Sequence, residues 1–411
     1  MFAFIARQPI LTKTQDLFAY ELLFRDGNNG CYPEHDPQRA QTISRRFNTL
    51  SIDDISGDQK SFINFLPDTL IHRFPNDLSA EKVTIEITQN PQSSTELMAA
   101  CKHIKSMGFQ IALKQNMPSA VLSLPLELVD IIKLDTDTMN IGVMDKIIQQ
   151  SQASQTTLVA ENVDSLEQFT NLCDLGFDLF QGYFFTQRST KEVQSLPAST
   201  LTLLELMSQC TQAIFDLRKV NDILQRDASL SFLLMRFINN PTINKRAEIT
   251  SLSHALTYLG EVEVKKFIAL LSLASLSQDK PLELIQISLV RAKFCELLHK
   301  AFNKPERSTS AFLVGLFSML DTILSQPIEQ VLEKMPLTAS IKAALTGEKS
   351  EFDGYLPMAQ AFESALWGKL LKLSEQHDIR QKELHRIYNE AIVWSNEVNQ
   401  TLSAHFPRTK L

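Results

Sequence analysis

Lys82-Val-Thr-Ile-Glu-Ile-Thr88, then Ser93-Ser94 ahead of Thr95–Met107, then Gly108 and Phe109-Gln-Ile-Ala-Leu113, is the stretch that decides the fold. The first and last segments are apolar and largely β-branched, the composition of buried strands. The middle segment has helical spacing, with a serine in front to accept a free N–H and a glycine behind to supply a left-handed residue. Strand, helix and strand within roughly 30 residues make a crossover unit with parallel strands. Similar apolar runs occur at Phe2–Ile10, Leu17–Phe24, Ser61–Leu66, Asp130–Leu134, Thr156–Ala160 and Leu179–Phe185. Helix-like stretches lie at Gln38–Leu50 and at Ser165–Leu175, the second closed by Gly176. About eight such units in about 190 residues predict a compact α/β barrel of the TIM type with parallel pairing. An open doubly wound sheet is the alternative, and the lack of a Gly-rich turn after the first strand argues against it.

From about residue 195 the strand pattern stops and leucine-rich amphipathic segments take over. They include Leu201–Phe215, Glu263–Leu276, Ile285–Ala301, Ser310–Leu324, Met358–Gln376 and Gln381–Leu402, punctuated by Pro241, Gly260, Pro281, Pro305, Pro336 and Gly347. The expectation is a barrel domain over 1–190 and an all-α domain over 195–411, with the boundary inside Thr186–Thr200. No repeat, heptad or low-complexity tract interrupts this division.

Composition narrows the function. The 411 residues are 44% hydrophobic and 21% charged, with 40 basic against 47 acidic residues and a net charge of −7. That balance gives no overall attraction to nucleic acid. Cys31, Cys101, Cys173, Cys210 and Cys295 are widely spaced and include no C-x-x-C, which argues against a disulfide framework and a thiolate zinc site and for a reducing cytoplasm. The opening apolar run, Met1 to Ala6, is too short for a signal peptide, and no segment approaches the ~20 apolar residues of a membrane helix. A cytoplasmic protein without membrane or nucleic-acid partners is therefore expected.

The strand ends carry the chemistry. In a (β/α) barrel they face one mouth, and here they hold Glu21, Asn64, Glu86, Lys133 with Asp135, Glu161 and Gln181. Hard oxygen ligands of this kind suit Mg²⁺ or Mn²⁺, and two such ions can activate water against a phosphodiester. One end does not fit: the run Phe109–Leu113 stops at Lys114-Gln115, adding a positive charge where a cation would bind.

These motifs resemble the EAL-domain cyclic-di-GMP phosphodiesterases. Tyr20-Glu-Leu-Leu-Phe-Arg25 resembles E-A-L-x-R, Phe62-Ile-Asn64 the family's Asn strand, and Thr84-Ile-Glu-Ile-Thr-Gln89 its E-x-T-E. Ile132-Lys-Leu-Asp135 resembles K-I-D, Val159-Ala-Glu-Asn-Val-Asp164 A-E-G-V-E, and Phe180-Gln-Gly-Tyr183 Q-G-Y. The resemblance implies a mouth that binds the cyclic dinucleotide, with Glu21, Arg25 and Gln181 toward the ligand, Glu86 and Asn64 on metal, and Lys133 orienting water. It also exposes departures. The family's D-D-F-G, source of two metal-ligating carboxylates, reads Lys114-Gln-Asn-Met117, the closing Glu of E-x-T-E is Gln89, and the glycine of A-E-G-V-E is Asn162. Unit charges 4 Å apart interact by roughly 4 kcal/mol at an effective dielectric near 20, enough to disfavour a dication. The Lys114 ammonium is expected to take the metal position and pair with Glu21 and Glu86, leaving a relic site with no resident metal. Residues Asn116–Pro125 lack the glycines of the loop through which active relatives dimerise, so no dimer is carried over.

The second half resembles the HDOD domain, a helical relative of HD phosphohydrolases, through Asn221–Asp227, Leu233–Asn240, Ile249–Gly260 and Ala311–Phe317. The sole adjacent His-Asp pair of this half, His377-Asp378, falls after the resembling segments, and His254 fits a partly buried packing histidine. The implied role is protein–protein contact. The expectation for the whole is a signal-transduction protein with a catalytically degenerate EAL domain, acting as a cyclic-di-GMP-related receptor or as a scaffold whose HDOD domain binds a partner. The alternatives are an active phosphodiesterase requiring Mg²⁺ or Mn²⁺, and an interaction module that binds no nucleotide.

Overall fold

A computed structural model describes residues 5–24, 52–72, 78–88, 94–115, 119, 121–187, 196–212, 214–225, 228–239, 248–277, 279–302, 305–335 and 337–405. The chain divides into two compact units, Met1–Gln187 with Ala361–Gly368, and Arg188–Gln360 with Lys369–Leu411.

In the first unit eight strands close a barrel in sequence order. They are β1 (Ile5–Thr12), β2 (Leu17–Phe24), β3 (Lys60–Phe65), β4 (Val83–Thr88), β5 (Gln110–Gln115), β6 (Ile131–Asp135), β7 (Thr157–Glu161) and β8 (Leu179–Gln181). Strands β2 to β8 run parallel, but β1 is antiparallel to both β2 and β8, which corrects the expectation of parallel pairing throughout. The cause is chain length. A parallel return needs a crossover of about a dozen residues or more, whereas Lys13–Asp16 alone joins β1 to β2. That link is a tight turn with Gln15 at φ 60° and the Asp16 amide donating to Thr12 Oγ1 at 3.1 Å.

The helices between the parallel strands are α1 (Ile52–Ser56), α2 (Pro67–His72), α3 (Thr95–Ser106), α4 (Ile141–Ser154) and α5 (Leu166–Leu175). Their ends follow local chemistry. Ser94 accepts the Leu97 amide at the start of α3, and Gly108 follows its end at φ 92°. Ser165 and Gln168 form a reciprocal capping box on α5, and Gly176 ends it at φ 103°. The helix expected over Gln38–Leu50 lies outside the described residues. β8 is shorter than the run Leu179–Phe185 because the chain turns at Gly182. A Cβ there would lie 2.1 Å from the Val163 carbonyl oxygen, so only glycine fits.

Alternation along the strands layers the barrel interior. Ile10, Ala19, Phe62, Ala112, Ile131, Val159 and Leu179 form one buried apolar cluster. Two residues further along β2, β3, β5, β6, β7 and β8 come Glu21, Asn64, Lys114, Lys133, Glu161 and Gln181, and on β4 Glu86 follows buried Thr84 by the same step. On antiparallel β1 the matching position lies two residues earlier, at Gln8, directly across from Glu21.

The second unit is helical among its described residues. Ala198–Gln209, Leu217–Gln225, Ala228–Ile238 and Leu252–Leu259 precede α6 (Glu261–Leu276), α7 (Leu282–Ala301) and α8 (Ser308–Phe317), and the last helix is α9 (Gln381–His405). Helix α7 is central and packs on α8 and α9. It crosses α8 at Gly315, where a Cβ would lie 2.2 Å from the Arg291 carbonyl oxygen. Asn239 clamps two segments by donating to the carbonyl oxygens of Met235 at 2.9 Å and Ile249 at 2.6 Å while accepting the Ile249 amide at 2.6 Å. Buried Glu296 accepts from Lys266 and Lys300, each at 2.7 Å, and from Lys293 at 3.1 Å. Burial opposes its charge, yet those lysines hold its carboxyl at about 2. His254 is partly buried, accepts the Thr250 amide at 3.4 Å through Nδ1 and stacks edge-on to Tyr258. Among the described residues no helix is long and apolar enough to cross a membrane.

Candidate functional site

Each of the eight strands contributes one polar residue to the ring above the apolar layer: Gln8, Glu21, Asn64, Glu86, Lys114, Lys133, Glu161 and Gln181. The sequence reading named seven of them. Gln8 was missed because it sits inside a strand rather than at its end. The signal was present: β1 joins β2 by a short turn, so a hairpin reverses its direction and brings an early residue to the mouth.

Lys133 is the centre. Its ammonium donates to Glu21 Oε2 at 2.9 Å and to Glu86 Oε2 at 2.6 Å, and it pairs with Glu161 Oε1 at 2.9 Å. The side chain is fully buried, and the ring of Phe62 lies 5.7 Å from the ammonium. Lys114, expected to hold this position against Glu21 and Glu86, lies at its edge and keeps only a long pairing with Glu86. It donates to Glu161 Oε1 at 2.8 Å and stands 3.9 Å from Glu86 Oε1. The physical reason is register. Lys114 and Lys133 are direct partners on β5 and β6, so two ammoniums compete for one acidic pocket. Lys133 is wholly enclosed, while Lys114 keeps 22% of its side chain exposed and meets the edge of the acid group.

Around the lysines, Gln181 donates to Glu21 Oε2 and, at 2.9 Å, to Gln8 Oε1. Asn64, beside Glu86 in register, bonds Thr88 Oγ1 at 3.2 Å. Gln115 does not join the carboxylates as a stand-in for a ligating acid: successive strand residues face opposite ways, and its amide donates to the Ser119 carbonyl at 2.7 Å. Asp135 lies next to Glu161 in register and accepts from Asn162 Nδ2 at 3.0 Å. Asn162 itself stands at φ 59°, a conformation that asparagine tolerates better than most residues, which explains how it serves where the resembling motif has glycine. Arg25, Gln89, Asn116 and Met117 lie outside the described residues.

Charge within the ring is finely divided. Burial pushes against ionisation of Glu21, but Lys133, Lys114 and the Gln181 amide outweigh it and hold its carboxyl at about 2. Glu86 goes the other way: burial and the neighbouring Glu21 charge raise it to about 7 against the pull of both lysines. Burial disfavours both ammoniums, yet Glu161, Glu21 and Glu86 keep Lys133 well above the ordinary lysine range, and Glu21 and Glu161 do the same for Lys114.

These shifts have opposite consequences for stability. Because the folded Glu86 value of about 7 exceeds the ordinary 4.5, the folded state holds an extra proton between them, and stability falls as pH rises through that window. The Glu21 contribution is present above 4.5 and is lost as pH falls toward 2. Glu86→Gln removes the first effect together with one carboxylate partner of Lys133. Urea unfolding at about pH 5 and about pH 8 is expected to show a smaller decline in the variant than in the wild type, and equal declines would refute the assignment.

Among the described residues, Glu21, Glu86 and Glu161 are the one group of three potential ligands whose donor atoms all lie within 4.8 Å of one another. Three carboxylates are the right donors for a hard dication. As arranged, however, the set is short of an acid for one, because the Lys114 ammonium stands against Glu161 and Glu86 where the resembling motif has a ligating carboxylate, and Lys133 already engages all three.

Similarity to known proteins agrees with this division of the chain. The EAL domain family model matches residues 36–188 and the HDOD domain family model matches residues 196–346. "Cyclic di-GMP phosphodiesterase CdgJ" of Vibrio cholerae is 31% identical over 413 residues, covering 97% of this chain and 94% of that protein. "Uncharacterized protein YuxH" of Bacillus subtilis is 28% identical over 408 residues, covering 97% of this chain and 99% of its own. Among solved structures, the manganese and cy-diGMP complex of Klebsiella pneumoniae BlrP1 at pH 9.0 is 19% identical with a TM-score of 0.35, covering 44% of this chain and 55% of that one. With both domains matched in order and a full-length relative above 30% identity, the chain belongs to the family of proteins that carry an EAL domain followed by an HDOD domain.

Proposed function

We propose that this protein is a cyclic-di-GMP receptor that does not hydrolyse its ligand, with the barrel mouth as the nucleotide site and the helical unit as the surface that engages a protein partner. The observation that carries the reading is the Lys114 ammonium at the end of β5, 2.8 Å from Glu161 and 3.9 Å from Glu86, where the resembling motif has a metal-ligating carboxylate. Metal-assisted phosphodiester hydrolysis needs cations beside the attacking and leaving oxygens. An ammonium offsets part of the acids' charge but neither lowers the pKa of a bound water nor acts as a Lewis acid. On this reading the ring keeps its shape and its mixed charge with an ammonium in place of a metal-ligating acid. The Vibrio cholerae relative's name and the EAL match supply the ligand class.

The deciding experiment is calorimetric titration of the full chain with cyclic di-GMP, in EDTA and then in Mg²⁺ or Mn²⁺, with chromatography of each mixture for the linear product. Binding in EDTA with no product in any condition is the expected outcome. Absence of binding in both leaves a partner-binding scaffold.

A second reading, a metal-dependent phosphodiesterase, has its own support. Glu21 Oε1 and Glu86 Oε1 are buried and accept no hydrogen bond among the described residues, an arrangement an incoming cation would relieve. It requires Lys133 to leave the carboxylates, and product formation with Mn²⁺ would establish it.

A further inference from the structure

The ring divides its charged side chains by access to solvent. Glu21, Glu86, Glu161 and Lys133 are 5% exposed or less, whereas Lys114 is 22% exposed. Lys133 is also saturated: an ammonium has three N–H donors, and Glu21, Glu86 and Glu161 engage it at 2.9, 2.6 and 2.9 Å. Among the described residues Lys114 has one short acceptor, Glu161 at 2.8 Å, with Glu86 distant at 3.9 Å. What the ring offers an arriving ligand at this point is therefore a part-exposed ammonium with donor capacity to spare, at the edge of three acids whose charge Lys133 offsets in part. Such a group donates to an anionic oxygen and repels a free dication.

We propose that Lys114 is the phosphodiester-binding residue of the mouth: its ammonium donates to a non-bridging phosphate oxygen of the cyclic dinucleotide, so that binding needs no metal. The inference rests on the receptor reading above and adds to it the residue that makes the contact. It also accounts for a lysine at the end of β5 in a cluster whose three carboxylates Lys133 alone already reaches. Loss of Lys114 leaves that buried arrangement in place, so the test does not depend on a variant that fails to fold.

The test compares wild type, Lys114→Met, Lys114→Gln and Lys114→Arg as full chains titrated with cyclic di-GMP in EDTA, with urea unfolding of each as a control for folding. A charge-assisted hydrogen bond corresponds to about tenfold or more in affinity, so the Met and Gln variants should bind at least about tenfold more weakly and the Arg variant should recover most of the loss. Wild-type binding that the Met and Gln variants match would overturn the role of Lys114 and leave the receptor reading intact. Wild-type binding that appears only with Mg²⁺ or Mn²⁺ would overturn both in favour of the metal-dependent reading. No wild-type binding in any condition would remove the receptor reading and this inference with it.

Discussion

Lys133→Met is expected to cost the barrel about 3–5 kcal/mol near neutral pH, the range for breaking a buried ion pair by removing one partner. The reason is local. The wild-type ammonium lies within 2.9 Å of oxygens from Glu21, Glu86 and Glu161, and these acids are 5% exposed or less. Methionine fills much of the same volume and supplies neither charge nor donors. Lys114 touches Glu161 but stands 3.9 Å from Glu86, too far to replace what is lost. The crowded carboxylates would then be raised above their ordinary values. By the sign rule for raised acids, the penalty grows as pH rises above about 4.5 and shrinks as the acids take up protons below it. Hydrogen exchange of barrel peptides is the suitable measurement, since it reports the opening of one unit of a two-unit chain. A loss below about 1 kcal/mol, the level of an exposed pair, would mean that Lys133 does not hold the acids together. Added Mn²⁺ should restore part of the loss, because removing the ammonium leaves three carboxylates whose donor atoms already lie within 4.8 Å of one another.

The second large effect is a gain. Lys114→Asp, alone or with Gln115→Asp, should give the barrel a larger Mn²⁺-dependent gain in stability than the wild type shows. The exchange moves local charge by about two units, and each unit charge at 4 Å is worth roughly 4 kcal/mol at an effective dielectric near 20. Binding at 100 times Kd then stabilises the fold by about 2.7 kcal/mol, visible as a concentration-dependent rise in Tm. The single variant should carry most of the response. Gln115 faces away from the acids and donates to the Ser119 carbonyl, so an aspartate there sets a carboxylate against a carbonyl oxygen and loosens the loop. If wild type and both variants respond alike to Mn²⁺, Lys114 is not what keeps the cation out.

Much of the barrel was legible because its signals are local. The caps Ser94, Ser165 and Gly176 act on their own helix ends. Polar residues closing apolar runs named seven of the eight ring members before any geometry was known. The direction of β1 was not legible from alternation alone. It follows from the short link Lys13–Asp16, and with it comes the placement of Gln8. The HDOD-like half was readable as packed helices from its amphipathic segments, whereas the contacts that Asn239 and Gly315 make between segments came from the structure.

The sequence by itself determined which residue types meet at the mouth, because period-2 alternation on parallel strands sends every second residue to the same interior layer. It determined too that a lysine stands where the resembling motif has an acid. Only the tertiary structure decided which of two lysines occupies the acid cluster. Lys114 and Lys133 are adjacent in register, carry the same charge and have the same reach, so no local pattern separates them. What separates them is enclosure: the position of β6 in the closed barrel directs Lys133 at Glu21, Glu86 and Glu161 together, while Lys114 meets the edge of that group and keeps contact with water.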